Sequence, residues 1–337
     1  MLLAGLGIGG CGLWWSWAIA PVSSGAAPSQ HLTIAAGTSA DAVGQQLEAA
    51  GLIRSQLAWK IWARWLGWQD AQAGPQSGTF ALSKKDSLPA IAEQIWQGDV
   101  LQTRFTIPEG WSIKQMGAYF QQRGWFSAAE FEQAARQIDR DRYPWLPAQL
   151  TTLEGWLYPN TYQLPAGKVT PTDAIHLMLD SFQKLALPLY KQQPTQLSLT
   201  DWVKLSSIVE KEAVVPQERP LIAGVFLNRL HQKIPLGSDP TVEYGLGFHQ
   251  TPDQPLTFAQ VKTPSPYNTY LNPGLPPTPI ASPGSASLSA VLQPAETNYL
   301  FFVARYDGTH VFSRTLAEHE AAQEQIHRQR KVQSSSS

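Results

Sequence analysis

The chain has 337 residues, 25 basic and 26 acidic side chains and a formal net charge of −1, so no charge imbalance drives it onto nucleic acid or an anionic surface. Its 43% apolar content and a length suited to about two domains of roughly 150 residues exclude a disordered or fibrous chain. Charged residues are scarce at 15%, while 26 prolines and 13 tryptophans favour an aromatic-rich groove framed by rigid loops.

Residues 1–22 carry no charged side chain. At about 1.5 Å per residue, a helix of that length crosses a hydrocarbon core about 30 Å thick, so a single membrane-spanning anchor is expected. A cleaved secretory signal is the alternative; it lacks its basic start, although Ala18 and Ala20 are small. Ile8-Gly9-Gly10-Cys11 loosely resembles a lipoprotein cleavage box. Each reading sends the remainder across a membrane, and the first thirty residues hold no cation that would fix the orientation. The literal GxGxxG of residues 5–10 follows no strand, so it reads as helix packing and not as a dinucleotide loop. Cys11 is the one cysteine, which rules out an intrachain disulfide and a multi-cysteine metal site.

A small polar linker occupies 23–31. Beyond it the pattern gives a strand at 32–34, helices at 41–50 and 56–68, a strand at 79–82, a helix from Ser87 carrying Leu88, Ile91 and Ile95, and an alternating strand to 107. This is a small α+β domain without a catalytic constellation. Its tryptophans at helical spacing read as core, with sugar stacking as the alternative. Helices at 112–122 and 127–136, the second opening with the capping box Ser127-x-x-Glu130, make a connector over 108–150.

From Leu153 to Tyr162, glycine, proline and aromatics break the helical pattern, as a lining segment would. A long helix over 172–192 and another over 200–213 follow. On the latter, Leu205, Ile208, Val209 and Glu212 share one stripe at about 100° per residue, with Glu210 about 200° away from Glu212. A carboxyl ending an apolar stripe has its charged form destabilised, which suits a general acid near neutral pH. The spacing equally allows Glu212 to be a half-exposed last turn, and it leaves Glu210 solvated or paired with a base. After a helix over 216–231, nine prolines between Pro252 and Pro283 exclude regular helix or central strand there. Amide, hydroxyl and ring side chains on such a stiff backbone suit a polysaccharide, or else a rigid wrap over the core.

Several blocks in order carry a family resemblance: Ser206-Ser207-Ile208-Val209-Glu210-Lys211-Glu212, Asn228-Arg229-Leu230, Asp239-Pro240-Thr241-Val242-Glu243-Tyr244-Gly245, Tyr267-Asn268-Thr269-Tyr270, Gly274-Leu275-Pro276-Pro277, and Tyr299 to Ala304 leading to His310-Val311-Phe312. The chain resembles the endolytic murein transglycosylases called MltG or YceG-like. The resemblance implies an α+β chain: an N-terminal membrane helix (1–22), a LysM-like subdomain (32–107) and a mixed α+β catalytic domain with Pro-rich loops (151–325); residues 326–337 are expected to form a disordered tail. It implies a lyase that cleaves the β-1,4 bond between N-acetylmuramic acid and N-acetylglucosamine in nascent strands, leaving a 1,6-anhydro end and terminating elongation. Glu212 maps to the catalytic acid. Trp156, Tyr244 and Tyr267 are candidates for stacking on sugars, and Asp239, Thr241, Asn268 and Thr269 for hydrogen bonding to them. No cofactor or metal is implied; His310 and His319 read as a strand and a surface-helix residue. The implied partners are glycan strands, the cell membrane and peptidoglycan synthases or division proteins, with no nucleic acid, and the implied location is a single-pass inner-membrane protein with an extracytoplasmic catalytic domain. Asn160 stands where relatives have Asp, which puts a catalytic role there in doubt. A two-carboxylate hydrolase using Glu212 with Asp239 or Glu243 and a non-catalytic glycan-binding scaffold are the alternatives.

Overall fold

The computed structural model describes residues 2–25, 28–69, 74–166, 169–251, 254–305 and 307–335, with side chains between 11 and 329. The chain divides into two compact units, Met1–Phe105 with Tyr162–Val169, and Thr106–Thr161 with Thr170–Ser337.

The first unit is built from α1 (Leu2–Ile19), β1 (Gln30–Ile34), α2 (Ala40–Ala49), α3 (Gln56–Gln69), β2 (Gly78–Leu82), α4 (Leu88–Gln97) and β3 (Gln102–Thr106). Ser39 and Ser87 open α2 and α4 by accepting backbone N–H bonds, as N-caps do. Antiparallel pairing of β1 with β2 sets Leu32 opposite Phe80. Val43, Leu47, Trp59, Phe80 and Ile91 fill the core, and the buried Trp59 indole donates to the Ala40 carbonyl at 2.7 Å. The tryptophans of α3 divide: Trp59 is core, Trp62 stacks on Trp15 at 6.4 Å, and Trp68 stands 91% exposed. Ala18 is buried in the same core, so the last turns of α1 pack as part of this unit. Among the described residues no helix is long and apolar enough to cross a membrane. Much of the expected anchor falls on residues 1–10, whose side chains lie outside the described set.

The second unit opens with α5 (Ile113–Gln122) and α6 (Ala128–Ala134), each started by a capping box, Ser112 with Gln115 and Ser127 with Glu130. β4 (Thr161–Pro165), all but its first residue within the first unit, pairs there with β3. The helix expected over 172–192 is two helices, α7 (Pro171–Ser181) and α8 (Leu187–Gln192), joined by a π-helical turn at Phe182–Ala186. Pro188 has no N–H to give and crowds the preceding turn, so the ladder widens and Leu187 N–H reaches back to the Phe182 carbonyl. Then come α9 (Leu199–Glu212), α10 (Arg219–His231) behind a short 3-10 turn, α11 (Asp239–Leu246), α12 (Phe258–Val261) and α13 (Ser285–Leu292). A hairpin of β5 (Phe301–Ala304) and β6 (His310–Ser313) and the final helix α14 (Leu316–Ser335) complete the unit. The segment read as a tail is therefore helical through Ser335.

Helix α9 is the axis of this unit. Trp202, Val203, Leu205, Ser206, Ser207, Ile208 and Val209 are all buried, so its enclosure is nearly complete and not confined to one stripe. Trp202 Nε1 donates to the Leu288 carbonyl of α13 at 2.9 Å. Gly155 holds φ at +82°, and a Cβ there would collide with the Pro279 ring, which draws the 153–158 turn against the Pro-rich segment. Gly155→Ala is expected to cost about 2–4 kcal/mol, combining left-handed strain with overpacking. Urea unfolding measures it; a change below about 0.5 kcal/mol would mean the turn yields freely.

Candidate active site

Because α9 is enclosed, its two glutamates meet very different surroundings. The Glu210 side chain is only 6% exposed and faces the Arg219 guanidinium at 3.5 Å. Its other oxygen accepts the Gly284 N–H at 3.0 Å, just ahead of α13. Of the two expectations for Glu210, pairing with a base holds and solvation does not. It clamps three segments.

Glu212, at the last position of α9, opens on a cleft of about 420 Å³ whose walls also include Arg229, Asp239, Tyr270, Phe301, His310 and His319. Its Oε1 accepts the Ser238 hydroxyl at 2.6 Å. Burial pushes this carboxyl up to about 7, the charges of Asp239 and Glu243 add to the rise, and the Ser238 hydrogen bond opposes it. Asp239 is also raised by burial, against the hydrogen bond that Tyr270 donates to its Oδ1 at 2.5 Å. Glu218 fixes His310 on the same wall, accepting its Nδ1 proton at 2.7 Å and its backbone N–H at 3.1 Å.

A second cleft, about 760 Å³, is lined by Ser112, Lys114, Glu154, Lys211, Glu243, Tyr244, His249 and Tyr267. Helix α11 contributes to both clefts: Asp239 at its start lines the first, and Glu243 and Tyr244 line the second. Glu154 is 3% exposed and is held by the Ile113 N–H, 3.1 and 3.2 Å from its two oxygens, and by the Tyr244 hydroxyl at 3.0 Å. Burial lifts it to about 7, with those donors pulling the other way. Glu243 Oε2 lies 2.7 Å from His249 Nδ1.

Of the residues expected to touch sugar, Asp239, Tyr244 and Tyr267 line clefts, and the Tyr244 and Tyr267 rings sit 4.8 Å apart. The other four lie inside the protein. Trp156 is fully buried, packed 5.3 Å from Phe182 and 6.1 Å from Trp145; its large apolar ring serves the core. Asn268 is buried and donates to the Val261 and Thr263 carbonyls. Thr241 and Thr269 are buried and hydrogen-bonded to each other at 2.9 Å. A proline-rich backbone is poor in N–H donors, so some of its carbonyls are met by side chains such as the Asn268 amide. Asn160 is exposed and accepts its neighbour's N–H.

Ser238 and the enclosed Glu154 are the site residues that sequence reasoning missed. Ser-Asp-Pro ahead of α11 carries the signal of an N-cap followed by Pro at the first turn, yet the Ser238 hydroxyl caps nothing. It turns to Glu212 instead.

Residues 32–325 match the YceG-like family. A Bacillus subtilis (strain 168) protein named endolytic murein transglycosylase is 31% identical, over 94% of this chain and 90% of its own length. A Streptococcus pneumoniae protein of the same name is 29% identical, over 84% of this chain but 56% of its own length. The crystal structure of a yceG-like protein from Listeria monocytogenes matches with a TM-score of 0.58 and 29% identity, covering 87% of this chain and 99% of that one. With a buried-helix carboxyl facing an open cleft, and with this match over nearly its whole length, the chain belongs to the YceG-like family.

Proposed function

We propose that this chain is an endolytic murein transglycosylase with Glu212 as its acid. The observation that carries the reading is a carboxyl lifted to about 7 by burial, set on the wall of an open cleft, with one oxygen held by Ser238. Such a group is still protonated near neutral pH and can give its proton to a leaving oxygen.

Cleavage of a β-1,4 bond would then run as follows. Glu212 protonates the N-acetylglucosamine O4 as its bond to muramic C1 breaks. The muramic 6-hydroxyl oxygen attacks C1 and closes the 1,6-anhydro ring, and the Glu212 carboxylate takes the hydroxyl proton, regenerating the acid. One carboxyl serves both steps. A hydrolase would need a second, free carboxylate as nucleophile or water-activating base. Asp239 is bound by the Tyr270 hydroxyl and Glu243 is tied to His249, which favours the one-carboxyl route. Tyr244 and Tyr267 offer ring faces to a sugar, and open clefts along both sides of α11 suit a polymer entered away from its ends. In this reading the uncharged N-terminal segment tethers the enzyme in the membrane with its catalytic unit outside the cytoplasm, where nascent strands emerge and where synthases or division proteins would be its neighbours.

Glu212→Gln keeps size and cannot donate the proton; strand cleavage should fall at least a thousandfold with the fold retained, and ends released by the parent should resist borohydride labelling. Readily labelled ends would favour the hydrolase, and an active Glu212→Gln would remove Glu212 from the chemistry.

The pH dependence follows from the raised carboxyl. Activity should be present below about pH 7 and decline as pH rises through that value. The folded state holds this proton more tightly than the unfolded chain does, so its stability contribution is lost as pH rises from about 4.5 toward 7. Glu212→Gln should therefore melt higher than the parent at pH 8 and show little of that gain at pH 5; equal differences at both values would contradict the assignment.

Cell fractionation tests the tether. The intact chain should pellet with membranes, and a soluble form starting near Ser23 would replace the anchor with a cleaved signal.

A further inference from the structure

We propose that Ser238 is the positioning residue of the acid: its hydroxyl pins Oε1 of Glu212, so that Oε2 is the oxygen that gives and takes the proton at the substrate. The inference rests on the reading of Glu212 as the acid and adds which oxygen acts and what sets it.

Serine at the start of a helix ordinarily accepts an N–H from the first turn. Ser238 forgoes that bond and directs its single proton to a carboxylate 26 residues away in sequence. The serines at the starts of α2, α4, α5, α6 and α9 all accept such a bond, and a serine that departs from this local rule serves the tertiary site. The rest of its bonding is saturated. Its N–H donates to Thr269 Oγ1 at 3.0 Å, and its carbonyl accepts the Thr241 hydroxyl at 2.6 Å. Thr241 and Thr269 close the ring through their hydroxyls at 2.9 Å, and the Gly237 N–H reaches the Thr269 carbonyl at 3.1 Å. All three hydroxyl residues are buried. The main chain of Ser238 is thus fixed from two sides by the Pro-rich segment and the first turn of α11, which leaves the hydroxyl one use.

That bond also sets the strength of the acid. Burial and the negative charges of Asp239 and Glu243 hold the proton on Glu212, and the Ser238 donor opposes them by favouring the carboxylate. Tyr270 faces the same carboxyl through its bond to Asp239, and Arg229, His310 and His319 line the cleft from α10, β6 and α14. Among these groups Ser238 alone donates a hydrogen bond to Glu212 in the described structure. Without it the acid would hold its proton to higher pH, release it less readily and swing between its two oxygens.

The full-length chain carrying Ser238→Ala is compared with the parent in cleavage of purified peptidoglycan across pH 5–10, with melting measured alongside. The alkaline limb of kcat should move up by about one pH unit, as loss of a charge-assisted bond implies, while plateau kcat falls about tenfold and KM changes little. Ser238→Thr, which keeps the hydroxyl, should hold the limb at its parent position. If Ser238→Ala does not fold, Ser238→Cys, a weaker donor of similar size, is read in its place and should move the limb in the same direction. A limb that stays at the parent pH in the folded Ala or Cys variant overturns the proposal, whatever happens to kcat or melting, because a purely structural serine would lower stability without moving it. Activity surviving in Glu212→Gln would instead refute the underlying acid assignment, so the two failures are distinct.

Discussion

The second unit depends on one constraint: helix α9 is enclosed almost all round, and it ends in carboxyls. An ionised carboxyl taken from water is costly unless paired or hydrogen-bonded. The chain meets that cost in two ways within three residues. Glu210 has Arg219 and the Gly284 N–H, a full set of partners that joins α9 to α10 and to the start of α13. Glu212 has one hydroxyl donor and two acidic neighbours, so its environment favours the protonated form. The first arrangement makes a structural clamp and the second an acid. A helix with one solvated face would have left both glutamates ordinary.

The Pro-rich segment is best understood as the support of that acid. Sequence chemistry alone makes Asn268 and Thr269 plausible sugar-binding groups, since both are polar and sit on a stiff backbone. In the structure both are buried. Asn268 fastens the loop to the Val261 and Thr263 carbonyls, and Thr269 belongs to the hydroxyl ring around Ser238. A segment poor in N–H donors needs such side chains to satisfy itself, and the same bonds place Tyr267 and Tyr270 at the cleft walls. Rigidity there lowers the ordering cost when a substrate binds.

Glu154 repeats the logic on the second cleft. It is enclosed, its two oxygens take the first N–H of α5, and Tyr244 donates from α11. Negative charge at a helix N-terminus is favourable, so this carboxyl joins two elements while facing the cavity. In the first unit the same economy of partners is seen in Trp59, whose indole N–H is bound to the Ala40 carbonyl within an otherwise apolar core.

By itself the sequence determined what local rules can encode. The capping box at Ser127, the helix start at Ser87, the strands near 32–34 and 79–82, and the placing of Glu212 at the end of an apolar helix were all legible, because each is set by residues within a turn or two of one another. The block order made the family legible as well. What only the tertiary structure decided are pairings across long stretches of chain: Ser238 with Glu212 over 26 residues, Ile113 with Glu154 over 41, and Tyr244 with Glu154 over 90. Periodicity reports which face of a helix is apolar and is silent on what packs against the other face, so it could leave Glu210 solvated when Arg219 in fact enclosed it. It also could not tell a buried aromatic that fills the core, as Trp156 does, from one that lines a groove, as Tyr267 does. Side-chain type is fixed by the sequence, but its exposure and partners follow from the packing of distant elements.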